Sequence, residues 1–210
     1  MNHIFEFFLN AYHEAPTSQI VLEAIAFVFG ILSVWYAKKE DILVYPTGII
    51  CTVITVYLLY INQYFGDMMM NLYYSIMSIY GWWNWSRKIE NKPIVPISRT
   101  NLKEKLIGVF MFIVTMIITY LVYKGFDYTL EIPNYIDIVT SGIFFTAMWY
   151  MANKKLENWT LWIIGDLITI PLYGYRGLGI LSLQYLIFTI LAIQGYMAWK
   201  KSINNNQQTA

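Results

Sequence analysis

The sequence predicts an all-α integral membrane protein with seven transmembrane helices, and three observations carry this prediction. First, 58% of the 210 residues are hydrophobic and only 13% are charged, whereas a soluble domain carries about 25% charged residues. Second, the apolar residues form windows of about 20 residues, the length that a helix needs to span a bilayer. Third, the polar segments between the windows are short, and none is long enough for a soluble domain.

The composition also excludes several classes of protein. A formal net charge of +1 gives no basic surface for nucleic acid. The single cysteine, Cys51, excludes a disulfide framework and a cysteine-based zinc site. The two histidines, His3 and His13, both lie near the N-terminus and leave few ligands for a metal centre. We therefore expect no metal, no cofactor and no nucleic-acid partner.

The predicted spans contain no lysine or arginine and only three acids, Glu23, Asp137 and Asp166. Residues 1–19 precede the first span and are expected to form a segment that lies in the membrane interface. Residues 199–210 form a polar tail, which we expect to be disordered beyond residue 201. The seven windows are Ile20–Ala37, Ile42–Ile61, Met68–Trp85, Leu106–Tyr123, Tyr135–Ala152, Trp159–Tyr175 and Leu178–Ala198.

The basic residues predict how the chain is oriented. Twelve of the 14 lysine and arginine residues fall in connections on one side of the membrane, and only Lys124 and Arg176 fall on the other. Cytoplasmic loops of membrane proteins carry an excess of lysine and arginine. The sequence therefore predicts an inner-membrane protein with its N-terminus outside and its C-terminus in the cytoplasm.

An internal repeat becomes visible when the chain is aligned with itself at an offset of 114 residues. Residues 35–88 then match residues 149–202 at 12 positions without a gap, including Trp35 with Trp149, Gly81 with Gly195 and Trp85 with Trp199. Three spans plus the linker span make an even number, so both repeats enter the membrane from the same side as parallel repeats. The predicted organisation is a first three-helix repeat (20–85), a basic cytoplasmic loop with a linker helix (86–134) and a second three-helix repeat (135–198), which is a 3+1+3 plan.

The sixth span carries the residues that most strongly indicate a binding site. Asp166 lies near the middle of this span, where a carboxylate costs about 2.5–3.5 kcal/mol on insertion scales and is by default a functional group. Trp162 lies one helical turn before it and Asn158 one turn earlier, so the three share a face. A tryptophan ring beside a carboxylate suits an aromatic cation. The alternative is an aspartate that is neutral or hydrogen-bonded to a neighbouring helix.

The third and seventh spans supply further candidates for the same site. Tyr73 and Tyr80 lie two helical turns apart and share a face. Asn71 and Trp82 belong to a second polar stripe of the third span, whereas aromatic residues at the span end also suit an interfacial belt. Gln184 and Tyr185 occupy the seventh span, where Gln184 can bind substrate or a neighbouring helix. The full set of predicted substrate-binding residues is Asn158, Trp162, Asp166, Tyr73, Tyr80, Trp82, Asn71, Gln184 and Tyr185.

Three stretches give the chain a family resemblance. They read EAIAFVFGILSVWYAKKE, GDMMMNLYYSIMSIYGWWNW and NWTLWIIGDLITIPLYGYRG. The chain resembles the PnuC family of bacterial vitamin transporters, which is similar in fold to the SWEET sugar transporters. The resemblance covers residues 20–201. It implies facilitated diffusion by alternating access, trapping of the vitamin by a cytoplasmic kinase, and a homotrimer.

Two spacings within this resemblance bear on the substrate. The third span fits Y-x6-Y-G-W-W-x-W from Tyr73 to Trp85, and the sixth fits N-x3-W-x3-D from Asn158 to Asp166. Both resemble the thiamine-type subgroup, so thiamine is the expected substrate, with nicotinamide riboside as the alternative. Both vitamins are aromatic cations, and the chemistry of the site alone does not separate them.

Three other functions are weighed against vitamin transport. An intramembrane enzyme would need paired acids or histidine in the spans, and the predicted spans have neither. A proton-coupled transporter would need a chain of acids and histidines. A membrane scaffold or sensor would bind without moving a solute. We therefore predict a transporter and not an enzyme.

Overall fold

The computed structural model describes residues 16–61, 65–89, 92–125, 130–175 and 179–208, and these residues form seven α-helices and one short hairpin. Each helix occupies one of the seven predicted spans. The hairpin pairs β1 (Lys88–Ile89) with β2 (Lys92–Pro93) in antiparallel register. The helices are α1 (Thr17–Lys38), α2 (Val44–Ile61), α3 (Phe65–Ser86), α4 (Leu102–Gly125), α5 (Ile132–Ala152), α6 (Glu157–Tyr175) and α7 (Gly179–Gln208).

Four of the described helices are long and apolar enough to cross a membrane by length and composition. They are α1, α2, α4 and the part of α7 from Ile180 to Asn205. The other three have spanning length, with 19 to 22 residues, but they carry more polar residues. Several of these polar side chains, such as Ser75, Thr146 and Asp166, are buried between helices. Polar groups within membrane helices normally face the interior of the bundle in this way.

The helices pack as two groups of three with one helix outside them. In the first group α2 contacts α1 and α3, and in the second α6 contacts α5 and α7. The groups meet through α1 against α7 and through α3 against α5. Helix α4 packs against α5, and its apolar side chains, such as Leu106 and Phe110, are largely exposed. An apolar outer surface of this kind suits a lipid environment.

Four aromatic residues form a compact cluster where the two groups meet, which we call the tryptophan cluster: Tyr45, Trp85, Trp159 and Trp199. Tyr45 packs edge-on against Trp85 at 5.1 Å between ring centroids, and Trp159 packs edge-on against Trp199 at 5.4 Å. Trp85 and Trp199 also contact each other at 6.0 Å. All four are buried. The cluster therefore joins the two groups at the end of the bundle where α3 and α7 leave the predicted spans.

The structure leaves most of the predicted N-terminal segment undescribed, and it differs from the prediction at the C-terminal end. Residues 1–15 of the predicted interfacial segment lie outside the described residues, and residues 17–19 already belong to α1. The expectation of disorder beyond residue 201 is wrong, because α7 continues to Gln208. Ile203 packs against the buried cluster around Trp199, which stabilises this helical extension.

Candidate functional site

Asp166 lies inside the bundle in the middle of α6, and only 1% of its surface is exposed. Its Oδ1 atom has no hydrogen-bond partner among the described residues. Leaving a buried polar atom without a partner costs free energy. A cationic or hydrogen-bonding ligand at this oxygen would remove that cost.

A ladder of stacked aromatic rings lies beside the same stretch of α6. Trp162 stacks on Phe144 of α5, with 5.4 Å between centroids and 28° between planes. Phe144 stacks in turn on Tyr185 of α7 at 6.2 Å and 24°. Tyr185 then stacks on Tyr173 of α6 at 5.3 Å and 25°. These nearly parallel rings, from three helices, form the kind of surface on which a flat aromatic ligand stacks.

Gly165 allows the ladder to approach Asp166 closely. A Cβ atom at position 165 would overlap the ring of Phe144. Since only glycine leaves this space, the phenyl ring lies directly against the backbone of α6, next to the buried carboxylate. The carboxylate and the aromatic ladder therefore belong to one region, where α5, α6 and α7 meet.

Helix α3 reaches this region through two adjacent tyrosines. Tyr73 stacks face to face on Phe145, with 3.7 Å between centroids, and its hydroxyl donates a hydrogen bond to the Phe145 carbonyl oxygen at 3.0 Å. Tyr74 lies 6.2 Å from Trp162, between ring centroids. Tyr73 is among the residues predicted from the sequence, whereas Tyr74 is not. Helix α3 therefore contributes aromatic side chains to the region, against Phe145 of α5 and Trp162 of α6.

Asn158 is fully buried at the start of α6. Its side-chain amide donates to the carbonyl oxygen of Lys155 at 2.5 Å, and its Oδ1 atom has no partner among the described residues. The amide of Asn158 therefore stabilises the start of α6, and its Oδ1 atom is an available acceptor two helical turns from Asp166.

Two of the polar candidates have surroundings that differ from those of Asp166. The Gln184 amide nitrogen lies 3.4 Å from the point that a Cβ atom on Gly30 would occupy, which places this side chain against α1. Asn71 is half-buried, and its carbonyl oxygen accepts a hydrogen bond from Ser75 at 3.0 Å. Both residues lie within the bundle.

Tyr80 and Trp82 lie nearer to the surface of the bundle. Tyr80 is 37% exposed, and its hydroxyl donates to the Asn153 Oδ1 atom at 3.4 Å. Trp82 is 42% exposed. The structure therefore brings Trp162, Asp166, Tyr185 and Tyr73 into one region, whereas Tyr80 and Trp82 lie toward one end and the outer surface.

Phe144 is the main residue that the sequence analysis missed. A signal for it was present, because position 144 corresponds to Gly30 at the repeat offset, and Gly165 corresponds to Cys51. In the first half, the small Gly30 faces the larger Cys51, whose Sγ atom lies 3.3 Å from the point that a Cβ atom on Gly30 would occupy. In the second half, the large Phe144 faces Gly165. This exchange of sizes places an aromatic ring against the helix that carries Asp166, whose equivalent in the first half is Thr52.

The arrangement suits binding of a ligand more than chemical catalysis. Among the described residues, no three histidine, cysteine or acidic side chains come close enough to hold a metal ion. One buried carboxylate beside stacked aromatic rings supplies charge compensation and stacking. Two open grooves of about 300 and 340 Å³ are lined by aliphatic and aromatic residues of α5, α6 and α1, and neither includes Trp162 or Asp166.

Comparison with known families gives an independent result. The profile of a family described as "Nicotinamide mononucleotide transporter" matches residues 20–201. The nicotinamide riboside transporter PnuC of Escherichia coli (strain K12) is 24% identical over 204 residues, covering 86% of this chain and 85% of that protein. The PnuC protein of Neisseria mucosa is 26% identical over 196 residues, covering 88% and 74%.

A solved structure is similar as well. The crystal structure described as that of the vitamin B3 transporter PnuC superposes with a TM-score of 0.70 at 24% sequence identity. The superposition covers 88% of this chain and 82% of that one. At this level of identity the likeness establishes a shared fold.

Proposed function

Because the chain belongs to the nicotinamide mononucleotide transporter family, which includes the PnuC proteins, we propose that it carries nicotinamide riboside across the bacterial inner membrane. Members of this family are multi-pass membrane transporters and not enzymes. The similar proteins from Escherichia coli, Shigella flexneri and Neisseria mucosa are all named for nicotinamide riboside. These names favour the riboside over the thiamine expected from the motif spacing.

The observation that carries the proposal is the buried carboxylate of Asp166 beside the aromatic ladder. Nicotinamide riboside contains a flat pyridinium ring with a fixed positive charge. The unpartnered Oδ1 atom compensates this charge, while the ring stacks on Trp162 with a cation–π contribution. In this proposal Tyr185 and Tyr73 contribute from α7 and α3, and Asn158 offers a further acceptor two helical turns along α6. We assign Phe144 to the site in addition, as a stacking residue.

Thiamine remains a second candidate because a specific observation favours it. The spacing from Tyr73 to Trp85 and from Asn158 to Asp166 resembles the thiamine-type subgroup. Thiamine is also an aromatic cation, so the same carboxylate and rings suit it.

The proposed architecture consists of two parallel three-helix repeats, 20–85 and 135–198, with α4 as the linker. The packing supports it, because α1 against α7 and α3 against α5 are equivalent contacts under exchange of the two halves. The tryptophan cluster agrees with it too, since Tyr45 and Trp159, and likewise Trp85 and Trp199, occupy equivalent positions at the offset of 114. Substrate then binds between the repeats, and the binding site opens to one side of the membrane and then to the other.

The proposed transport is facilitated diffusion with the N-terminus outside. The distribution of basic residues supports this orientation, with the tryptophan cluster at the cytoplasmic end. The direction of net uptake is set by a cytoplasmic kinase that phosphorylates the vitamin. The exposed apolar face of α4 suits lipid or the interface of a homotrimer.

Counterflow in proteoliposomes tests the proposal. Vesicles loaded with unlabelled nicotinamide riboside should accumulate the labelled riboside transiently, without an ion gradient or ATP. Vesicles loaded with thiamine should exchange the label at least tenfold more slowly. The reverse preference would identify thiamine as the substrate, and no counterflow with either would contradict vitamin transport.

A further inference from the structure

Glu40 and Lys154 occupy the same position in the two halves of the chain. They are separated by the repeat offset of 114 residues, and each lies two residues beyond the end of a helix, α1 or α5. Both have a left-handed backbone, with φ of 59° and 51°, which is uncommon for residues other than glycine. They are the non-glycine residues with positive φ in the described part of the chain. The two turns therefore have the same shape but end in side chains of opposite charge.

These two equivalent residues bind each other. The Lys154 Nζ atom lies 2.6 Å from Glu40 Oε1, and the side chains are 5% and 33% exposed respectively. The ammonium group also lies over the Trp85 ring, 4.5 Å from its centroid. A lysine is rarely buried to this degree without a partner. The ion pair is therefore a specific contact between the two halves, and losing Glu40 would leave a buried charge uncompensated.

The pair covers the tryptophan cluster at the end of the bundle. A second polar link runs beside it, because the Trp199 ring nitrogen donates to the Ala37 carbonyl oxygen at 3.0 Å. The Lys154 side of the pair is held firmly. The Ser98 amide donates to the Lys154 carbonyl oxygen at 3.1 Å, and the Leu156 amide donates to the Ser98 carbonyl oxygen at 2.9 Å. Glu40 is therefore the more exposed member, opposite an anchored lysine.

A neighbouring ion pair has similar geometry but different connectivity. Lys155 binds Glu104 of α4 with 2.7 Å between Nζ and Oε1. This pair joins the linker helix to the second half, and it does not connect the two halves. The chain therefore contains two adjacent lysines with comparable ion pairs, of which only that of Lys154 bridges the halves.

We infer that the Glu40–Lys154 ion pair is a latch that holds the two repeats together at the cytoplasmic end and opens when substrate is released there. Substrate that leaves between the repeats has to pass the tryptophan cluster, so the groups that bridge the halves around it must separate. The inference rests on the proposed alternating access and orientation, but it does not depend on which vitamin is carried. Breaking the ion pair should therefore favour the state that is open to the cytoplasm.

The test measures access to a cysteine buried behind the cluster. Ala192 is buried in α7, two helical turns from Trp199, and is changed to cysteine in a protein with Cys51→Ser. Without substrate, a membrane-impermeant maleimide is applied to membranes in both orientations. Glu40→Gln and Lys154→Gln should each increase labelling from the cytoplasmic side about tenfold, as loss of a charge-assisted hydrogen bond predicts. Lys155→Gln should leave labelling within about twofold of the parent.

The charge-reversed double variant Glu40→Lys with Lys154→Glu separates the ion pair from other effects of the substitutions. It should reverse at least half of the increase. Unchanged labelling in Glu40→Gln, an equal increase in Lys155→Gln, or no recovery in the charge-reversed protein would each overturn the latch. The Glu40 side chain is the more exposed of the two, so its replacement is the better tolerated. If Lys154→Gln is not recovered in membranes, the labelling of Glu40→Gln decides the test. If the variants change labelling as predicted but the parent shows no riboside counterflow, only the assignment of the riboside as substrate is contradicted.

Discussion

Trp162 and Asp166 are one helical turn apart on α6, and the structure gives them complementary surroundings. The tryptophan ring is half-buried and stacks on Phe144, whereas the carboxylate is buried and keeps one oxygen without a partner. Stacking and charge compensation act on different parts of a cationic ring. The two side chains should therefore make separable contributions to binding.

Replacing Trp162 by alanine should weaken binding of nicotinamide riboside about 30-fold, because a desolvated cation–π contact is worth about 2 kcal/mol. Trp162→Phe keeps an aromatic ring and should retain most of the affinity. Isothermal titration of purified protein provides the measurement. Trp83→Ala is the matched control, since Trp83 is exposed and lies outside the proposed site. Equal losses in Trp162→Ala and Trp83→Ala would contradict a stacking role.

Contacts between whole elements depend on glycines that face aromatic rings. Gly165 faces Phe144, and Gly81 faces Tyr45. Gly195 faces Trp159, whose ring lies 2.7 Å from the point that a Cβ atom on Gly195 would occupy. Each contact brings two helices close together. The last two flank the tryptophan cluster, and the first lies beside Asp166. The Gly165–Phe144 contact therefore sets the spacing of α5 and α6 and also shapes the proposed site.

Gly165→Ala should destabilise the protein by about 1–3 kcal/mol, because the added methyl group overlaps the Phe144 ring. For a chain of this size that corresponds to a decrease in melting temperature of about 2–12 °C. Gly125→Ala is the control, since a Cβ atom there would have no neighbour within 4 Å. Thermal unfolding in detergent measures both. A Gly165→Ala protein as stable as the control would show that α5 and α6 are less tightly packed than described.

The contact between α4 and the α5–α6 connection should depend on pH. Burial by itself raises the pKa of Glu104, but hydrogen bonds from Lys155 and the Asn101 amide, with the lysine charge, outweigh it and lower the pKa. The stabilisation is therefore present above the ordinary glutamate pKa and is lost as the pH falls through the lowered value. The parent should lose more thermal stability than Glu104→Gln between about pH 5 and pH 3. Parallel pH profiles would contradict this contribution.

At the scale of the whole molecule, the sequence predicted the seven helices of the described residues and their order, because hydropathy and loop charge depend only on local composition. The offset of 114 residues also matched Trp85 with Trp199, which lie in contact. The Phe144 ladder and the Glu40–Lys154 ion pair were not predicted, because both depend on side chains from helices distant in sequence. The polar residues of α3, α5 and α6 are a further example, since only the packing of the helices shows that many of them are buried inside the bundle.

The central claim is that the carboxylate of Asp166 binds the positive charge of nicotinamide riboside. Titration of the riboside into the parent and into Asp166→Asn, in the same detergent, tests it most directly. Asp166→Asn should bind at least about 30-fold more weakly, as expected when one partner of a buried charge pair is removed. Asp137→Asn, which changes another acid of the predicted spans, should bind within twofold of the parent. Parent-like affinity in Asp166→Asn, or an equal loss in Asp137→Asn, would contradict the account.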